Sequence, residues 1–146
     1  MWPPQLPDHL QGAFIGTPVY VELPRGERLY KFVSLPVVRE RVLRSPWWIR
    51  QQTFDLLRLR AQRLQRPLAE VVRSHMAIAM EWNPGMETMW IVVLAARVSA
   101  WEGRARTQRV STASNQVAFL GGGHQVCVPD LTQGHIAQEY TGYLTV

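Results

Sequence analysis

Cysteine is nearly absent: Cys127 is the single one in 146 residues. An internal disulfide is therefore excluded, and a reducing compartment is acceptable. Lysine is equally scarce, with Lys31 alone among sixteen basic residues. No apolar run approaches the ~20 residues that would span a bilayer. The opening Met-Trp-Pro-Pro-Gln-Leu-Pro has no basic segment leading into an apolar stretch, so no signal peptide is expected. The four histidines, His9, His75, His124 and His135, show no paired metal-ligand spacing, and Cys127 has no cysteine partner. No metal is expected. Gly-x-Ser-x-Gly is missing, which removes the serine-hydrolase elbow. No Gly-Lys-Ser/Thr follows the glycines, which removes the phosphate loop.

What is present describes a globular chain. Apolar residues make up 47% and charged ones 18%, enough for one core in one domain over residues 1–146. Net charge is +5, carried by arginine. Arginine pairs bidentately with carboxylates and phosphates, so a basic face would suit nucleic acid or a phosphorylated ligand. The arginines are scattered, however, and also fit an ordinary solvated surface.

Residues 1–12 hold three prolines and read as an extended arm. Residues 18–23 and 28–33 alternate as strands around a Pro-Arg-Gly turn. On the second strand Leu29, Lys31 and Val33 share a face, opposite Tyr30 and Phe32. Lys31 then lies on an edge with its amine in water, or points into a pocket. Ser45-Pro46 resembles a helix start, with the apolar spacing of Phe54, Leu57, Ala61 and Leu64 predicting a helix over 47–65. A second helix over 67–80 carries Leu68, Val71, Val72, His75, Met76 and Ala79 on one stripe. On such a stripe His75 fits a hydrogen-bonded core position better than a catalytic one.

Residues 89–96 are apolar and β-branched, as a strand covered on both faces requires, and continue towards Trp101 until Gly103 breaks them. Residues 104–116 read as a loop, 117–120 and 125–128 as short strands, 130–139 as a connection and 140–146 as a last strand. Strands, two helices, then strands predict an α+β domain with helices on a largely antiparallel sheet.

Residues 121–129, Gly-Gly-Gly-His-Gln-Val-Cys-Val-Pro, carry the sharpest local signal. Glycines admit positive φ and close approach of a ligand, which places Gln125 on a rigid strand beside open space. The same run also serves as a hairpin turn or bulge. A nucleophile pair of Cys127 with His124 is disfavoured, since positions three apart on a strand face opposite sides.

Leu29-Tyr30-Lys31, then Ser45-Pro46-Trp47-Trp48, then the glycine run with Gln125, resemble the ADP-ribosyltransferase-like toxin domains, including the necrotising-toxin type of NAD glycohydrolase. Residues 90–108, an apolar strand ending in an aromatic, a glycine and then a glutamine, resemble the central strand of that family. The likeness runs over residues 17–146. It implies a split or bent, largely antiparallel sheet with two central helices on one side. It implies NAD as substrate and cleavage of its nicotinamide glycosidic bond, by transfer or by hydrolysis. By the same resemblance Lys31 would contact the pyrophosphate or a ribose hydroxyl, and Ser45 would orient the pocket. Trp47 or Trp48 would stack on nicotinamide, Tyr30 and Gly123 would line the site, and Gln125 would hold the nicotinamide ribose. Lysine stands where the family has arginine or histidine and lacks the bidentate fork. Glutamine places no charge beside a developing oxocarbenium ion and offers no general base. The implied partners are a macromolecular acceptor (protein or nucleic acid) and an immunity protein, with no membrane. The implied site of action is the cytoplasm of a target cell reached by secretion. The competing expectation is a non-enzymatic basic module, with arginines on phosphates and tryptophans as stacking platforms for nucleic acid, or one that binds a protein partner.

Overall fold

The computed structural model describes residues 6–12, 14–33, 38–75, 88–105, 108–111, 116–119, 124–129 and 131–143. Gly123, Met76 and Ala79 lie outside them. The elements run α1 (Asp8–Gln11), β1 (Phe14–Leu23), β2 (Arg28–Val33), α2 (Arg39–Arg44), β3 (Trp47–Arg50), α3 (Gln51–Leu64), α4 (Leu68–His75), β4 (Thr88–Leu94) and β5 (Val98–Ala105). They continue with β6 (Gln108–Ser111), β7 (Gln116–Phe119), β8 (His124–Cys127), a 3₁₀ turn (Gln133–His135) and β9 (Ile136–Tyr143). The class is α+β. Seven strands form one antiparallel sheet in the order β1-β5-β8-β3-β2-β4-β9, and β6 and β7 form a separate hairpin.

The sheet divides along β3. Trp47 and Trp48 pair with Cys127 and Val126 of β8, whereas Ile49 and Arg50 pair with Tyr30 and Leu29 of β2. One four-residue strand thus belongs to two half-sheets. One core cluster draws on both halves, with Leu23, Leu29, Trp48, Trp90, Val92, Leu94, Ala100 and Val126 packed together. Alternation assigns the other faces. Tyr30, Phe32 and Ile49 point to α3 and α4 and pack on Phe54, Leu57, Ala61, Val71 and Val72. Phe14, Trp101 and Cys127 form a third cluster, with Trp47 against it.

Several expectations are corrected by these elements. Residues 47–50 are a strand, not the first turn of a helix, and α3 begins at Gln51. Two tryptophans and an isoleucine favour a pleated surface with neighbours on both edges, and here both edges are paired. Ser45 accordingly closes α2 as its C-terminal cap residue in extended conformation, instead of opening α3. Residues 88–105 are two strands joined by a turn at Ala95 and Ala96, and Gly103 lies inside β5. Its conformation is ordinary; what requires glycine is Phe14, since a Cβ there would lie 2.9 Å from Phe14 Cδ1. The stretch expected as a loop over 104–116 contains β6, the connection over 130–139 already contains the start of β9, and the arm over 1–12 contains α1. Val72 of α4 is fully buried, as the helical stripe predicts.

Two ties fasten α2 to the half-sheet of β2, β4 and β9. At its C-terminal end, Lys31 Nζ donates to the Val42 carbonyl at 2.5 Å and to the Ser45 carbonyl at 2.6 Å. At its N-terminal end, Arg39 forks onto Glu139 of β9, with Nε 2.9 Å from Oε2 and Nη2 on Oε1. That guanidinium holds the Glu139 carboxyl below the usual range.

Candidate functional site

Lys31 is buried at 7% exposure on the inner face of β2, and neither an edge nor a solvent-facing position describes it. Besides its two carbonyl acceptors, its Nζ lies 3.9 Å from the centroid of the Trp48 ring. Two oxygens and a ring face offer three acceptors to three N–H groups. Burial meanwhile pushes the Lys31 pKa well below its ordinary value. A desolvated amine saturated by its own chain is a structural fastening. It fixes the Ser45 carbonyl and the Trp48 ring from one side of the sheet.

Gln125 lies on the other side. Trp48 and Val126 are paired and both enter the inner core. Gln125 is one residue along from Val126, so its side chain leaves by the opposite face. It shares that face with Cys127 and Trp47, and its direct neighbour across β5 is Gly103. Two residues of strand rise separate Gln125 from the position opposite Trp47, roughly 7 Å. Gln125 is 7% exposed, whereas Trp47 is half-buried and meets Phe14 edge-on at 5.5 Å between centroids.

The structure therefore sorts the candidate residues into three groups. Lys31, Ser45 and Trp48 meet on the inner face. Trp47 and Gln125 share the face of the third cluster. Tyr30 joins neither, because it stacks on Phe54 at 4.2 Å and 3° beneath α3. Lys31 and Gln125 do not flank one cleft.

Sequence reading passed over an arginine clamp at the end of β3. Arg50 Nε donates to Glu27 Oε1 at 2.5 Å, and Nη1 to Glu102 Oε2 at 3.1 Å. Burial works against the charge, but the bonds to Glu27 and Glu102 outweigh it and hold the Arg50 pKa above its ordinary value. The clamp joins the β1–β2 turn, β3 and β5 where the half-sheets part. Its members are 23 and 52 residues from Arg50, so no local motif announces it.

Cys127 is fully buried, its thiol pKa is pushed up to about 12 by desolvation, and His124 is exposed. That removes the thiol as a nucleophile near neutral pH. Among the described residues no group of three His, Cys, Asp or Glu side chains is placed to hold a metal ion, and no helix is long and apolar enough to cross a membrane.

No family model matches the chain, and no curated protein sequence matches it significantly. A solved structure does: Tne2, determined in complex with Tni2, is similar over 89% of this chain and 94% of its own, with a TM-score of 0.54 and 14% identity. At that identity the likeness is one of fold.

Proposed function

We propose that this chain is an ADP-ribosyltransferase-like toxin domain that binds NAD and cleaves its nicotinamide glycosidic bond. The observation that carries the reading is the sheet that divides along β3, in a fold similar to Tne2 over nearly the whole chain. Order along the sequence agrees, with a strand lysine, then Ser-Pro-Trp-Trp, then Gly-Gly-Gly-x-Gln. The neighbour was solved with a partner protein, Tni2, which supports the expectation of a dedicated immunity partner here.

Geometry refines which residues would touch the ligand. Trp47 and Gln125 form the ligand-facing pair, with the indole stacking on nicotinamide and the amide holding a hydroxyl of its ribose. Gly123 would admit the ribose closely. Lys31, Ser45 and Trp48 support them from behind, because the fastened Ser45 carbonyl and Trp48 ring flank Trp47 in the chain. In the reaction the bond between ribose C1′ and the nicotinamide nitrogen breaks, and its electron pair leaves with neutral nicotinamide. The ribosyl cation is captured by water, which passes a proton to solvent, or by a nucleophile on a macromolecule. Gln125 contributes position and dipole, not proton transfer.

The test is incubation of the protein with NAD, following free nicotinamide with and without cell lysate. Release that depends on the protein is expected. No release under any acceptor condition, with salt-sensitive binding of an oligonucleotide instead, would establish the basic-module alternative.

A further inference from the structure

The exposed face of α3 carries an arrangement that neither folding nor NAD accounts for. Leu56 and Leu59 are 63% and 44% exposed, one turn apart. Arg60 and Arg63 follow them at i+4, so the four side chains form one continuous patch. This patch lies opposite Phe54, Leu57 and Ala61, which anchor the helix to the core.

Charge pairing separates these arginines from their neighbours. Arg58 has Asp55 at 3.9 Å and Arg66 has Glu70 at 3.7 Å. Arg60 and Arg63 have no carboxylate within 4.0 Å among the described residues. The residues three and four positions from Arg60 are Leu56, Leu57, Arg63 and Leu64, none acidic. Like charges at i, i+3 cost a helix about 0.2–0.5 kcal/mol. The helix dipole favours Arg63 in the last turn, but it gives no reason for two exposed leucines beside it.

We infer that this face of α3 docks an acidic protein surface, with Leu56 and Leu59 at the centre of the contact and Arg60 and Arg63 paired to carboxylates at its rim. Exposed leucine flanked by unneutralised arginine matches the apolar-centre, polar-rim plan of protein interfaces. A nucleic-acid phosphate would leave the leucines unsatisfied. Two leucines are also too little apolar area to hold a helix in a bilayer surface.

The probe is a labelled synthetic helical peptide that presents leucine and glutamate on one face, titrated into the full chain by fluorescence anisotropy. A duplex oligonucleotide and phosphatidylserine vesicles serve as competing ligands. The expected result is saturable binding, weakened about tenfold or more by Leu56→Ser with Leu59→Ser and likewise by Arg60→Glu with Arg63→Glu. Arg25→Glu, in the exposed β1–β2 turn, is expected to leave it unchanged. All variants should remain folded at the assay temperature by circular dichroism, since every altered side chain is exposed. Absence of peptide binding overturns the inference, as does equal weakening by Arg25→Glu. Oligonucleotide or vesicle binding that depends on these four residues and displaces the peptide overturns it too. NAD cleavage is read in parallel and should not change, so this inference and the enzymatic reading fail independently.

Discussion

The amine of Lys31 stands 3.9 Å over the ring of Trp48 while donating to two carbonyls at the end of α2, so the only lysine of the chain is spent on its own backbone. Lys31→Met would leave the Val42 and Ser45 carbonyls without their donor and remove the ring contact. A loss of about 2–4 kcal/mol is expected by urea unfolding. Lys31→Arg should not restore the parent, because a planar guanidinium does not reproduce three divergent N–H directions.

The same residue makes stability depend on pH. Burial lowers its pKa in the folded state below the unfolded value near 10.5, so the unfolded chain binds more protons in the window between them. Stability then rises with pH through that window. Cys127 has the opposite sign. Its folded pKa of about 12 exceeds the ordinary thiol value of 9.0, so stability falls with pH between those values. Comparing the parent with Lys31→Met by thermal unfolding at pH values below 9.0 therefore reads the lysine without the thiol. The parent should gain stability relative to Lys31→Met as pH rises; parallel profiles would show that burial does not perturb the amine.

Cys127 should be inert in the native state. A thiol with no exposed surface and a pKa near 12 offers almost no thiolate at pH 8. Ellman's reagent should react only as fast as the protein opens, and at once in denaturant. Immediate native reaction would place the sulfur at the surface.

Gly103 and Phe14 form a size-coupled pair across β1 and β5. Gly103→Ala brings a methyl to 2.9 Å from a fully buried ring. A loss of about 1–3 kcal/mol is expected. Phe14→Leu alone should also destabilise, but Gly103→Ala combined with Phe14→Leu should cost less than the sum. Additive losses would mean that the ring moves aside freely.

How far the sequence told this in advance follows from where each constraint acts. The bounds of β2 and the split of Tyr30 and Phe32 from Leu29 and Val33 are local, set by alternation. The strand at Trp47–Arg50 was hidden, because Ser-Pro before a period-four run imitates a helix start and only pairing to β8 and β2 decides against it. Gly103 read as a breaker because nothing local reveals Phe14 above it. Pairing register, which assigns Lys31 and Gln125 to opposite faces, is a relation among β2, β3 and β8. The Arg50 clamp is equally non-local. Candidate residues could be nominated from sequence, but not which of them face one another.

Separating Gln125 from Lys31 yields the sharpest test of the proposed activity. If Gln125 and Trp47 meet NAD while Lys31 supports them from the inner face, substitutions should divide by kinetic parameter. Gln125→Ala, assayed where it is folded, should lower kcat, since it removes a hydrogen bond formed as the glycosidic bond breaks; about 2–4 kcal/mol corresponds to roughly thirty- to a thousandfold. Trp47→Ala should chiefly raise KM, by roughly five- to thirtyfold for a stacking loss of ~1–2 kcal/mol. Lys31→Met should lower stability first, and at a temperature where it is folded its kcat should stay closer to the parent than that of Gln125→Ala. Gln125→Glu supplies the carboxylate used by the transferase branch that the sequence resembles, and should retain or raise nicotinamide release, at some cost in stability from a buried charge. If Lys31→Met abolishes release in fully folded protein while Gln125→Ala leaves it intact, the inner face holds the ligand and the assignment of the two faces is reversed.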